Sequence, residues 1–421
     1  MARALLGNVW KRAACPAIDH EIVTVCGRGS TAQEAVQRCD DALRQQTLAA
    51  PTLLLVFIGG KHNPDTMLST LTQYFPGVTV VGGSAAGVIG ASECGYSGLE
   101  VGIIAFFNAA TTPWVHTTHA LEQSDYGGGR MLGADARREH NDSSVVLLLY
   151  DSVRSFEPRE LHVAGSVLEG FESCWREVGS VVGGGLLTDL NLTDSWMLLD
   201  GAVHRHAAAA LVFPPCVTAT TVVLRACRPV STYMTITRIE GAEVFELDNR
   251  PALEVIEARI GQPLIDVAGH PNRIMTLGKK LDDPWEDGEP DDYVNRLILT
   301  GNRDTGSITL FEPDFAEGAM VQLMQNDNEL MLAAAREGAV AAMRAGADAG
   351  EAILRLYIDC AGRASVMSGT DEEEASVVTK TLIDRVPFMG FYSGVEIAPI
   401  RQRSQPLDWT GVLTTLKVQR P

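Results

Sequence analysis

A short β-branched strand, Val78 to Val81, runs straight into a side-chain-poor segment, Gly82, Gly83, Ser84, Ala85, Ala86 and Gly87. About a hundred residues later the pattern returns as Val178, Gly179, Ser180, Val181, Val182, Gly183, Gly184 and Gly185. An apolar run precedes each copy (Leu53 to Ile58; Val145 to Tyr150) and another follows it (Val101 to Phe107; Ala207 to Phe213). Each copy therefore reads as strand, helix, strand, Gly turn and return strand. Uninterrupted apolar runs of this length suit strands buried on both faces, so the sheet is expected to be covered by helices. Two such units should pack as one α/β layer structure.

A chain of 421 residues exceeds the size at which a single core keeps growing, and two domains are expected. Their boundary is placed near Pro214 to Thr218, giving domains over 20–215 and 216–421, the first an α/β domain from a degenerate repeat and the second a mixed α/β domain. The formal charge of −19, from 53 acidic and 34 basic side chains, argues against a phosphate-neutralising surface and hence against nucleic acid. The eight cysteines are scattered without a C-x-x-C pair, as in a reduced, cytoplasmic protein. No apolar run approaches the roughly 20 residues of a membrane span, so no membrane anchor is expected.

Local signals place individual elements. Thr31 opens an amphipathic helix to residue 47, and Asn63-Pro64-Asp65 starts a second that ends before Pro76. Gly90 to Gly98 reads as loop or hairpin. Beyond Pro215 the pattern changes to strands at 217–224, 234–239 and 244–247, then a helix with Pro251 in its first turn. Residues 282–292 form an acidic loop, expected to be a solvated insertion. A hairpin over 294–311, an Ala-rich helix over 328–343 and a strand over 353–359 follow. Thr370 and Glu373 have capping-box spacing.

Several of these motifs together resemble the FIST family, for F-box and intracellular signal transduction proteins. The first part of the resemblance rests on the strand at Leu53, the Val80 to Gly87 segment and Gly183 to Gly185. The second rests on Glu246-Leu247-Asp248 with Pro251-Ala252-Leu253, on Glu317-Gly318, on Cys360-Ala361-Gly362-Arg363 and on Pro387 to Ile397. The resemblance implies a sensory protein that binds a small ligand such as an amino acid, or, in some relatives, haem for sensing nitric oxide. Where the family commonly has His-Asn near its end, this chain has Leu407-Asp408 ahead of Thr410. No kinase, cyclase or DNA-binding segment remains in the chain. The signal would pass to a separate protein such as a histidine kinase or a cyclic-nucleotide enzyme, and homo-oligomerisation is compatible with the sequence.

Candidate ligand contacts follow from chemistry. Gly82, Gly83, Gly87, Gly183 and Gly184 allow backbone N–H groups to converge on a carboxylate or phosphate, or else simply pack under a neighbouring strand. Ser84 could join that concavity. The same segment approaches a G-x-S-x-G nucleophile elbow with Ala in the last place, which raises a serine hydrolase as the alternative from the enzyme class. It lacks the Lys and Ser/Thr of a P-loop. Arg363, just beyond a buried strand, offers a fork of donors for a carboxylate or for an ion pair with Glu396, and Tyr392 offers a wall and a hydroxyl. No cofactor is expected. For the haem alternative the candidate ligands are His162, His204 and His206, the last two on one face if Ala202 to His206 is a strand, with Cys15-Pro16 a further haem-contacting dipeptide. No metal centre is expected around them.

Overall fold

The computed structural model describes residues 22–418, apart from 92–93, 141–143, 158, 177–178, 273, 282–292, 348–349 and 402. The acidic loop and Cys15-Pro16 lie outside the described residues.

The repeat inferred for the first half occurs three times. The first unit runs β1 (Ile22–Arg28), α1 (Ala32–Gln46), β2 (Leu53–Gly59), α2 (Pro64–Tyr74), β3 (Thr79–Ala85), the hairpin β4 (Val88–Gly90) and β5 (Cys94–Gly95), and β6 (Glu100–Phe106). In the second come β7 (Trp114–Thr118), α3 (Asp125–Glu139), β8 (Val145–Asp151), a short hairpin β9 (Val153–Ser155) and β10 (Glu160–Leu161), α4 (Ala164–Glu172) and β11 (Ser180–Leu186). It closes with the hairpin β12 (Met197–Leu199) and β13 (Ala202–His204), then β14 (Ala208–Val212).

The third unit begins with β15 (Val217–Leu224) and is then interrupted by an inserted subdomain. That insertion comprises β16 (Cys227–Pro229), β17 (Met234–Glu240), β18 (Glu243–Leu247), β19 (Arg250–Pro251), α5 (Ala252–Ile260), β20 (Met275–Lys280), β21 (Tyr293–Asn302), β22 (Ser307–Leu310) and β23 (Met320–Asn326). The unit resumes with α6 (Asn328–Ala347), β24 (Glu351–Cys360), α7 (Ser365–Ser368), α8 (Glu374–Thr381) and β25 (Phe388–Ser393). The hairpin β26 (Glu396–Ile400) and β27 (Arg403–Leu407) and the return strand β28 (Gly411–Val418) complete it.

The three sheets share one order. In each, the first strand pairs antiparallel with the return strand, which pairs antiparallel with the central strand, which pairs parallel with the next: β1-β6-β2-β3, β7-β14-β8-β11 and β15-β28-β24-β25. Each sheet is then extended by a hairpin from another unit: β12–β13 joins β3, β26–β27 joins β11, and β4–β5 joins β25. The exchange is cyclic, so the two halves of the chain interlock.

Register carries the same symmetry. Val56, Leu148 and Tyr357 stand opposite Gly82, Gly183 and Gly390. A Cβ at any of those glycines would overlap the carbonyl oxygen of the residue opposite, which is the steric reason for glycine there. The uninterrupted apolar runs are explained by burial on both faces. Leu53, Leu55 and Phe57 join Leu147, Leu149, Leu356 and Ile358 in a central core, while Leu54, Val56 and Ile58 face α1 and α2. Phe57 stacks on Phe391 across the centre, ring centroids 4.3 Å apart. The insertion has a core of its own around Ile236, Ile256 and Leu323.

The helix signals operate as read at two starts. Thr31 Oγ1 accepts from Glu34 N and Asn63 Oδ1 from Thr66 N. The Thr370–Glu373 capping box does not form. Thr370 pairs with Ser368, and α8 begins four residues later, at Glu374, behind Glu373, whose carboxylate serves other donors.

Candidate functional site

A cleft of ≈930 Å³ opens where the first and third units meet. The first unit lines it with Cys26, Gly27 and Arg28 at the end of β1, Arg38 of α1, Val88 of β4, and Gly95, Tyr96, Ser97 and Glu100 between β5 and β6. From the third unit come Ser365, Asp371, Glu373 and Ser376 around the start of α8. The hairpin exchange makes this seam, because β4 pairs with β25 and carries Tyr96 across to the third unit.

Its walls are tied by hydrogen bonds. Glu373 accepts from Tyr392 Oη at 2.6 Å and from Ser365 N at 3.0 Å, and Ser365 Oγ lies 3.1 Å from Tyr96 Oη. Glu100 accepts from Ser97 Oγ at 2.6 Å and from Leu99 N at 3.1 Å. Arg38 is committed to the carbonyl of Arg28 and to Glu34. Arg28 is not so held: its side chain is 59% exposed, with Glu100 3.7 Å away. The site thus presents an accessible guanidinium, carboxylates from both units and several hydroxyls.

Directly behind this wall lies Arg363, fully buried. Its Nε and Nη2 donate to the two oxygens of Glu374 at 2.8 and 2.5 Å, Nη1 donates to Trp409 O at 2.9 Å, and Asp359 lies 3.4 Å away. The predicted ion pair therefore forms with Glu374 and Asp359 instead of Glu396. Glu396 accepts from Ser393 Oγ at 2.6 Å and from Thr410 Oγ1 at 3.1 Å. Burial, compounded by Glu374, pushes the Asp359 carboxyl well above its usual range, and burial raises Glu374 as well. Burial opposes the charge of Arg363, but Glu374 outweighs it and holds the guanidinium protonated. Arg363 fixes the residue next to Glu373, and so the start of α8.

The glycine segments are interior strands, not turns. Gly82 and Gly83 lie between β2 and β12, and Gly183 and Gly184 between β8 and β26, so their backbone is engaged on both sides. Gly87 packs against Gly95 O and the Tyr392 ring, and its carbonyl accepts from Tyr392 N. Ser84 is fully buried, its hydroxyl bridging the Trp196 backbone at 3.3 and 3.1 Å. Of the predicted contacts, Tyr392 stands behind the cleft wall, meeting Glu373 through its hydroxyl and the Tyr96 ring edge-on at a centroid distance of 5.9 Å. Asp408, in the departure from His-Asn, accepts from Leu297 N at 2.8 Å and lies 3.8 Å from Arg296, joining the insertion to the third unit.

The haem candidates separate. β13 ends at His204, and His206 has φ +53°, so the anticipated strand through both does not exist. His204 stacks on His119, centroids 4.0 Å apart. His162 is buried with Nδ1 2.6 Å from Asp125 and Nε2 3.0 Å from His206 Nδ1. With both ring nitrogens engaged, His162 does not fit an axial ligand, and the cleft is lined by none of the three.

The residues that sequence reasoning missed are Arg28, Glu100 and Glu373. Arg28 follows Cys26-Gly27 at a strand end, and Glu373 stands in an acidic run that resembles a helix start. Nothing in either segment points to the other.

The fold and cleft define an interlocked α/β protein with a ligand-sized site between repeats. The chain belongs to the FIST family: the FIST N domain matches residues 52–250 and the FIST C domain residues 252–399. These are signalling-associated sensory domains. Two curated relatives, uncharacterized proteins from two strains of Mycobacterium tuberculosis, are each 29% identical over 180 residues, covering 42% of this chain. The matched region spans 46% of the length of those relatives. Among solved structures, a cyanuric acid hydrolase from A. caulinodans aligns over 95% of this chain and 100% of its own at 10% identity and a TM-score of 0.36. PurL from T. maritima in complex with ATP aligns at 11% identity and a TM-score of 0.22. Likenesses of that size carry no functional meaning. Among the described residues no helix is long and apolar enough to cross a membrane.

Proposed function

We propose that this protein is a cytoplasmic small-ligand sensor whose ligand, an anionic metabolite such as an amino acid, binds in the cleft between the first and third units and whose occupancy is relayed to a separate signalling protein. The observation that carries the reading is the exposed Arg28 guanidinium set in the same cleft as Glu100, Asp371 and Glu373. A guanidinium fork matches a ligand carboxylate, and carboxylates with hydroxyls match an ammonium group. Because Glu373 and Arg28 belong to different units, a zwitterion bridging them would draw the units together, which is a differential contact of the kind a switch requires. Calorimetry with a panel of amino acids, their decarboxylated amines and simple carboxylic acids tests it. An amino acid should bind, its amine should not, and Arg28→Ala should weaken binding about tenfold or more. Equal affinity in Arg28→Ala, or equal binding of the amine, overturns the assignment.

A further inference from the structure

A second constellation sits at the far edge of the second unit, away from the cleft. β7 is the outermost strand of its sheet, and α3 packs across it. His116, in the middle of β7, and His140, which caps the end of α3, bring their Nε2 atoms within 2.9 Å of each other. Both are buried, at 6% and 8% exposure. The opposite nitrogen of His116, Nδ1, lies 2.9 Å from Asp135 Oδ2. A carboxylate only accepts, so the neutral ring keeps its proton on Nδ1 and directs the Nε2 lone pair at His140. Glu139 adds a carboxylate, and the ligand atoms of His116, Glu139 and His140 all fall within 4.8 Å of one another. Trp114 covers the His140 ring at a centroid distance of 4.6 Å.

We propose that His116, His140 and Glu139 bind a zinc ion, with Asp135 orienting His116 and the fourth position open to water. Zinc takes imidazole nitrogen at about 2.0–2.1 Å in tetrahedral geometry, which sets two such nitrogens about 3.3 Å apart. The two rings need part by only roughly 0.4 Å to admit it. The Asp135–His116 contact reproduces the carboxylate–histidine–metal arrangement that fixes tautomer and ring plane. Two imidazoles favour a borderline cation over magnesium or calcium, and the negative end of α3 favours any cation. The bound ion would clip the end of α3 to an edge strand.

Full-length untagged protein, stripped with chelator and titrated with zinc against a chromogenic competitor, should take up one equivalent here. Cobalt should give the absorption of a tetrahedral ion. His116→Ala and His140→Ala should each abolish that uptake, and Asp135→Asn should weaken it about tenfold or more. Anomalous scattering at the zinc edge from crystals of the unaltered protein keeps the test independent of how the variants fold. A peak between the two Nε2 atoms supports the site. Absence of that peak at saturating zinc, or uptake unchanged in both histidine variants, overturns it and leaves the pair sharing a proton.

Discussion

Replacing Arg363 with Ala should destabilise the protein through Glu374 and Asp359, and the loss should depend on pH. The guanidinium is fully buried and makes three charge-assisted hydrogen bonds, two of them to Glu374. Removing one partner of such a pair leaves an uncompensated buried charge, which costs about 3–5 kcal/mol. The sign with pH follows from the carboxyls. Burial already raises both in the folded state, and loss of the cation raises them further. Above the ordinary carboxylate pKa, near 4, the unfolded chain then releases protons that the folded variant keeps. Stability therefore falls as pH rises toward the raised values. Compared at pH 5 and pH 8, the deficit should not shrink as pH rises, and it gains about 1.4 kcal/mol for each unit by which loss of the cation raises one carboxyl pKa within that interval. Urea unfolding monitored by tryptophan fluorescence and far-UV dichroism at the two pH values measures it. Arg363→Met with Glu374→Leu should recover part of the loss, since both charges leave together. A deficit below about 1 kcal/mol at pH 8, or one that grows as pH falls, refutes the reasoning. Weakened ligand binding with unchanged stability would return Arg363 to direct ligand contact.

Three further outcomes are expected. Gly183→Ala, whose Cβ would overlap the carbonyl of Leu148, should cost about 1–3 kcal/mol by urea unfolding, and Gly390→Ala should behave alike because it occupies the equivalent place in the third unit. Glu312, buried while accepting from Ala164 N and Gly165 N at the start of α4, is pushed up to about 8 from an ordinary 4.5 by burial and by Asp408. Between those values the unfolded chain loses a proton the fold retains, so stability should fall as pH rises from 5 to 8. Glu312→Gln should flatten that slope, and an unaltered slope would refute the assignment. Protein expressed with haem supply should show no stoichiometric Soret band, since His162 engages both ring nitrogens, one of them with His206, and His204 stacks on His119; a band lost in one of His162→Ala, His204→Ala or His206→Ala would contradict this.

Local chemistry was legible at most of the positions where the information lies in neighbouring residues, the unformed Thr370–Glu373 capping box being an exception. The caps at Thr31 and Asn63, the hairpin at Gly90 and the helix-covered sheets implied by Leu53 to Ile58 and Val145 to Tyr150 follow from spacing and steric preference, and the fold keeps them. The third repeat was not legible, although Met389-Gly390-Phe391 repeats the register of Val81-Gly82-Gly83. The inserted subdomain from Cys227 to Asn326 breaks its period, and Phe and Tyr replace the small residues that advertise the first two copies. The apparent glycine turns are strands for a related reason: the hairpins that pair with them come from other units, and no local pattern announces a partner distant in the chain. The same exchange decides the candidate site. Arg28 and Glu373 share a cleft only because β4 crosses to β25, while Arg363 finds Glu374 instead of Glu396 through the packing of α8 within the third unit. Sequence by itself determined which segments bury both faces and where α1 and α2 begin, since periodicity and capping act within a few residues. Tertiary structure alone decided which charged groups share the cleft, because Arg28 and Glu373 lie in units far apart in the chain and meet only where the hairpin exchange joins those units.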